Sequence, residues 1–235
     1  MTSMPSLGEV LAVPAEPAAF PLRTGEAALV VIDMQRDFLV PGGFGESLGN
    51  DVSLLQAAVR PLAAVLRAAR ATGMPVIHTR EGHEPDLSDC PPAKLLRGQP
   101  SKRIGDEGPY GRILIRGEYG HDIIDELAPA PGETVIDKPG KGAFYRTGLQ
   151  QVLAESGVTQ LIVTGVTTEV CVHTTVREAN DRGYEVLVLG DCCASYFPEF
   201  HRIALQMVCA QGGIFGWVAD SADLLEALLP APQLP

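Results

Sequence analysis

Short apolar runs alternate with longer stretches of helical spacing along most of this chain. The first run, Ala27–Ile32 (AALVVI), holds six consecutive apolar residues and stops at Asp33. A run of this kind, without polar alternation, predicts a strand covered on both faces. Pro75–His78 (PVIH), Glu133–Ile136 (ETVI), Gln160–Thr164 (QLIVT) and Glu185–Leu189 (EVLVL) predict further strands, and Gly212–Trp217 a last short one. Within Asp51–Thr72, Leu54, Leu55, Val59, Leu62, Val65, Leu66 and Ala69 recur at helical spacing, and Gly73 follows as a natural C-cap. Thr147–Ser156, Glu169–Arg182, Glu199–Ala210 and Ser221–Leu229 predict the other helices; Gly157 and Gly183 close the first two.

Strands alternating with helices imply crossover connections and a mostly parallel sheet. The fold class expected is therefore α/β, a three-layer α-β-α arrangement. Two segments break the pattern. Residues 1–26 carry Pro5, Pro14, Pro17 and Pro21, which predict an extended arm before one domain spanning 27–235. Residues 84–120 are rich in Pro, Gly and charge, and predict a long irregular excursion of the kind that forms lids.

Bulk properties narrow the function classes. At 235 residues the chain suits one large α/β domain that needs no disulfide or metal staple. Eighteen basic against 29 acidic residues give a net charge of −11, which argues against nucleic acid or an anionic membrane as partner. No apolar run is long enough to span a bilayer, and the N-terminus lacks the pattern of a signal peptide. The five cysteines (Cys90, Cys171, Cys192, Cys193, Cys209) are odd in number and include no CxxC pair. A reduced, cytoplasmic setting is the expectation.

In open sheets of this type ligands bind beyond the carboxyl ends of the strands. The chemically capable residues expected there are Asp33, His78, Lys138, Asp191 and Cys171, the last on the helix after the Gly165-Val166-Thr167-Thr168 turn. A helix N-terminus lowers a thiol's pKa and offers free N–H groups to an oxyanion; equally, Cys171 could be one small core residue. Asp33 is a candidate general base or a helix cap. Lys138 could favour thiolate, and Lys141 competes for the same role. His78 and His83 flank Thr79-Arg80-Glu81-Gly82, but their spacing matches no zinc motif, so no metal is expected. Asp191-Cys192-Cys193 reads as a packed strand end. Gly42-Gly43 and Pro139-Gly140-Lys141-Gly142 are short turns, not phosphate-binding loops.

Three of these stretches together, ALVVIDMQRDF, TVIDKPGKGAF and VTGVTTEVCV, resemble the isochorismatase-like cysteine hydrolases, over a span from about Ala27 to the last helix. The resemblance implies that family's Rossmann-like fold and a catalytic set of Asp33, Lys138 and Cys171, with Lys138 preferred over Lys141. It also implies an oxyanion hole from the N–H groups of Thr167 and Cys171, behind a cis peptide at Val166–Thr167. HTREGHEPDL, GRILIRGE, DKPGKGAF, REANDRGYE and QGGIFG are similar to the biuret and triuret hydrolases within it. That likeness implies hydrolysis of a terminal amide of a linear urea oligomer with release of ammonia, and no cofactor. Phe38, Gln211, Arg80 and Glu81 would contact the small amide substrate, and the assembly would be a homotetramer. Alternatives are an N-carbamoyl or ureidoacrylate amidohydrolase, or a non-catalytic binding protein on the same fold. The metal-binding Asp-x-His of nicotinamidases is missing, and Cys171 argues against isochorismate hydrolysis itself.

Overall fold

The computed structural model describes residues 8–229. In chain order the strands and helices are β1 (Val10–Val13), β2 (Phe20–Arg23), β3 (Ala27–Ile32), α1 (Arg36–Leu39), α2 (Phe44–Ser47), α3 (Ser53–Gln56), α4 (Val59–Thr72), β4 (Val76–Glu81) and α5 (Pro92–Leu95). They continue with β5 (Glu107–Gly108), β6 (Gly111–Arg112), β7 (Thr134–Lys138), α6 (Leu149–Glu155), β8 (Gln160–Val166), α7 (His173–Asp181), β9 (Glu185–Ala194), α8 (Pro198–Gly213), β10 (Trp217–Ala219) and α9 (Ser221–Leu228).

The main sheet runs β10-β9-β8-β3-β4-β7 with every neighbouring pair parallel. The expected α/β class is thus present, and the doubly apolar run at β3 has the expected cause. Its six residues are all buried. Alternate side chains serve two cores: Ala27, Leu29 and Val31 pack with α4 and α9, whereas Ala28, Val30 and Ile32 pack with α6, α7 and Val208 of α8. With both faces covered, no position in β3 is free to be polar.

Three sequence expectations need correction. Residues 8–26 do not form an extended arm: β1 and β2 pair antiparallel, and Val13, Phe20 and Leu22 are buried in the first core. Period-two apolar positions between the prolines fold them onto α9, and Phe20 meets Trp217 edge to face at 5.2 Å. Pro5 lies outside the described residues. Second, β4, β7 and β9 run further than their apolar letters do, because the polar residues at their ends are still paired in the ladder. The Asp191-Cys192-Cys193 stretch lies inside β9, and Asp191 accepts from the backbone N–H and hydroxyl of Ser221 at the start of α9. Third, Gly212–Trp217 is not a strand; α8 continues to Gly213 through a kink at Ala210–Gly212, and the strand begins only at Trp217.

The 84–120 excursion carries only the short elements α5, β5 and β6 and is firmly seated. Ile113, Leu114 and Ile115 are buried, and Ile115 bridges to His83. By contrast the part around α5 is mostly exposed.

Candidate active site

The register of the sheet assembles the site. Ile32 pairs with Thr79 on β4 and with Gly165 on β8, and Glu81 pairs with Lys138 on β7. Four adjacent strands therefore deliver Asp33, Glu81, Lys138 and the Gly165 turn to one end of the sheet. Gly165 has φ +112°, and a Cβ there would stand 2.0 Å from the carbonyl oxygen of Ile32, so only glycine lets the two strands close. After it comes a cis peptide at Val166–Thr167, as the resemblance implied, and a π-helical turn over Thr168–Val172 that carries Cys171. Such turns occur often at functional sites.

Asp33, at φ +51°, is fully buried. Its Oδ1 accepts from the Thr79 hydroxyl at 2.7 Å, and its Oδ2 lies 2.7 Å from Lys138 Nζ. Lys138 is equally buried and also donates to the carbonyl oxygens of Gly140 and Lys141, both at 3.0 Å. All three of its N–H donors thus have acceptors, and it is a fixed cation rather than a mobile one. Burial alone would lower its pKa; the neighbouring carboxylates of Asp33 and Glu81 outweigh that and hold the ammonium well above its ordinary value.

Glu81 is the residue whose importance the sequence understated. Its Oε2 accepts from the Cys171 thiol at 3.6 Å, and Lys141 Nζ grips both oxygens at 2.7 and 2.8 Å. Desolvation pushes its carboxyl up, but Lys141 and Lys138 prevail and bring it down to about 2. The Gln35 side chain holds its backbone, accepting from the Glu81 N–H at 2.7 Å and donating to the Glu81 carbonyl at 3.0 Å.

The loop bearing Lys141 is tied to the helix bearing the thiol. The Ala143 N–H donates to the Thr175 hydroxyl, which in turn donates to the Cys171 carbonyl. Lys138 and Lys141, competitors in the sequence, thus both reach the site: one serves Asp33, the other Glu81.

Alternation along β4 sorts the remaining residues. Glu81 and Thr79 face the thiol, whereas His78 and Arg80 face the other layer. Arg80 is committed to Asp137, at 2.8 and 3.1 Å, and to Asp122 at 3.0 Å, so it leaves no cation for a ligand of this site. His78 bonds Glu133 at 3.0 Å, remote from the sheet's carboxyl end. Phe38 packs against the first core rather than the second, where the thiol lies, and its carbonyl accepts from Tyr196. Gln211 is exposed, in the kink that ends α8. Its neighbour Ile214 accepts from Asn180 at the end of α7, and Gly216 abuts Val186 at the start of β9. That is the amino end of the strands, so this chain's own fold does not bring Gln211 to its thiol.

The thiol also departs from expectation. Helix-terminus reasoning favours thiolate, but Cys171 is only 4% exposed. Burial pushes its pKa well above the ordinary value; Lys138 and Lys141 pull it down, and Asp33 and Glu81 push it further up. The resting group is a protonated thiol, in keeping with its hydrogen bond to Glu81. Carboxylate oxygens of Asp33 and Glu81 and the sulfur lie within 4.8 Å of one another, a spacing that could hold a metal ion. A cation there would have to displace Lys138 and Lys141 from the same oxygens.

Sequence reasoning missed Thr79, Gln35 and Lys94. The first two sit one or two residues from noted positions; Lys94 lies in the irregular segment, where no periodicity singles it out.

A family model described as the isochorismatase domain matches residues 27–223. The fold is similar to an isochorismatase family protein of Desulfovibrio vulgaris, with 29% identity, 86% of this chain and 98% of that one covered, and a TM-score of 0.72. A cysteine hydrolase of Pseudomonas syringae pv. phaseolicola is 28% identical over 94% and 97% of the two chains, with a TM-score of 0.74. The N-carbamoylsarcosine amidase of Thermoplasma acidophilum is 25% identical over 83% and 96%, with a TM-score of 0.65. With a thiol, two carboxylates and two ammonium groups gathered at the carboxyl end of its sheet, the chain belongs to the isochorismatase family, as a cysteine hydrolase.

Proposed function

We propose that this hydrolase cleaves the terminal amide of a small carbamoyl compound, a linear urea oligomer such as biuret or triuret, and releases ammonia. The observation that carries the reading is the buried ensemble of Cys171, Asp33 and Lys138, joined by the Glu81–Lys141 pair. A ureido group presents carbonyl oxygens and N–H donors side by side. Lys141 and Glu81 present the matching donor and acceptor, and the Lys141 side chain is 46% exposed, so it can turn to a ligand.

In the reaction Asp33 accepts the Cys171 proton as sulfur attacks the scissile carbonyl carbon. The S–C bond forms, and the carbonyl electron pair moves to oxygen. Backbone N–H groups of Thr167, just before the π-helical turn, and Cys171, within it, stabilise that oxygen; losing one such donor costs about 3 kcal/mol of barrier. As the C–N bond breaks, Asp33 returns the proton to nitrogen and ammonia leaves. Water then adds to the thioester carbon, giving its proton to Asp33; the carbamic acid departs and the thiol is restored. Lys138, with every donor engaged, holds the Asp33 carboxylate in place. No metal or other cofactor enters the scheme.

A second reading is an N-carbamoyl amino acid as substrate. Three ammonium groups (Lys94, Lys138, Lys141) stand near two carboxylates, a balance that suits a substrate carboxylate. The N-carbamoylsarcosine amidase relative points the same way. The test is ammonia release from biuret, triuret, nicotinamide and N-carbamoyl amino acids by wild type and Cys171→Ala. Turnover of a urea oligomer, abolished in the variant, is expected. Turnover of the N-carbamoyl acid alone would shift the assignment to the second reading. Turnover of none would overturn the substrate class, and activity surviving in the variant would overturn the mechanism.

A further inference from the structure

We infer that Lys94, carried on the short helix α5 of the 84–120 segment, is a specificity-determining residue. It makes this thiol site prefer ligands that place an oxygen acceptor, carbonyl or carboxylate, at the end away from the scissile amide. The inference rests on the proposed use of Cys171 as nucleophile, but not on any one substrate.

Three observations support it. First, Glu81 bridges the two groups: one oxygen accepts from the thiol at 3.6 Å, and the other lies 3.6 Å from Lys94 Nζ. Lys94 is therefore one carboxylate beyond the sulfur, where the far end of a small substrate would reach. Second, among the described residues the carboxylate that Lys94 pairs with is Glu81, at 3.6 Å, and Lys141 holds that carboxylate more closely. The hydrogen-bond partners of Lys94 are the carbonyl oxygen of Pro139 at 2.6 Å and Nε2 of His83 at 3.2 Å. His83 is held as the neutral imidazole: its Nδ1 faces Asp89 at 3.1 Å, and burial together with Lys94 keeps its pKa below the ordinary value. Glu81 itself is gripped at both oxygens by Lys141. Of the three ammonium groups around two carboxylates, Lys94 is thus the one in surplus. Third, α5 has no buried residue, and Lys94 is the residue that carries it into the site. Its neighbours Leu96 and Arg97 are exposed. Burial and the like charge of Lys141 lower the pKa of Lys94 while Glu81 opposes them; its contacts to the Pro139 carbonyl and His83 Nε2 are those of a hydrogen-bond donor.

The test compares two alkylating probes that differ only in charge at the far end, iodoacetate and iodoacetamide. Both give the same S–C bond at Cys171 with loss of iodide. Their rate ratio at that cysteine is read by peptide mass in the full-length protein, for wild type, Lys94→Met, Lys94→Arg and Arg97→Met. The ratio of iodoacetate to iodoacetamide rates is expected to fall roughly tenfold in Lys94→Met. It should be restored in large part by Lys94→Arg and left as in wild type by Arg97→Met. An equal change of both rates in Lys94→Met would reduce Lys94 to a structural tie and overturn the proposal, as would an unchanged ratio. Where wild type turns over a substrate, Lys94→Met should raise KM at least tenfold with kcat within threefold. Inactivity of the wild type on every amide would sink the proposed substrate, yet leave the alkylation ratio to decide on Lys94.

Discussion

Replacing Glu81 by glutamine removes a negative charge beside the thiol but keeps an oxygen that can accept its S–H. In the native protein that oxygen is 3.6 Å from sulfur. Two unit charges at about 4 Å interact by about 4 kcal/mol at an effective dielectric near 20, equivalent to roughly three pKa units. Lys141 now neutralises part of that charge; once Glu81 is gone its ammonium faces the thiol alone, and both changes favour thiolate. The thiol pKa is therefore expected to fall by about two units or more. The assay is the pH profile of iodoacetamide alkylation at Cys171, with ultraviolet thiolate absorbance as a second measure. Asp33→Asn should also ease ionisation, because Asp33 is another negative neighbour, yet it removes the proton acceptor. Turnover separates the two variants: kcat should drop by roughly 10²–10⁴ in Asp33→Asn and much less in Glu81→Gln. An unmoved or raised thiol midpoint in Glu81→Gln would refute the electrostatic account. A loss of turnover as deep as that of Asp33→Asn would transfer the role of base to Glu81, to which the resting thiol already donates.

Lys138→Met leaves Asp33 buried without its cation and should cost about 3–5 kcal/mol in urea unfolding, with part regained in the double variant Asp33→Asn/Lys138→Met. Gly165→Ala forces a Cβ against Ile32 at a φ that L-residues rarely adopt, and should abolish soluble folded protein or cost several kcal/mol. Gly157→Ala, with open space around it, should cost about 1–2 kcal/mol by comparison. Asp37 is buried between α1 and the 84–120 segment, and burial pushes its carboxyl up to about 6. A raised carboxyl favours the folded state below the ordinary value of 3.8 and loses that favour as pH rises through 6. Asp37→Asn should therefore stabilise the protein by about 2–3 kcal/mol at pH 8 and hardly at all at pH 4, read from unfolding curves at the two pH values.

Much of the fold is legible in the sequence. Apolar runs too continuous for a half-exposed strand identify the central strands, and helical spacing marks α4 and the other long helices. Asp33, Lys138 and Cys171 stand out because each follows such a run or the turn after it, and strand ends in a parallel sheet converge. Strand length was not legible: a ladder pairs backbone, so Glu81 and Asp137-Lys138 belong to strands that their letters do not announce. The hairpin at Val10–Arg23 escaped for a related reason, since its apolar residues need Trp217 and α9, far along the chain, to form a core.

What the sequence by itself determined is which residue types come to the carboxyl end of the sheet, because period and turn chemistry are local properties. Only the tertiary structure decided how they pair. One residue of register on β4 turns Glu81 toward the thiol and Arg80 toward Asp137. Close packing raises the Cys171 pKa where its helix position alone would lower it. The chain path carries Gln211 to the far end of the sheet and lays Lys94, from an irregular segment, beside Glu81. Each of these depends on distance and desolvation between residues remote in sequence, and no local pattern encodes either.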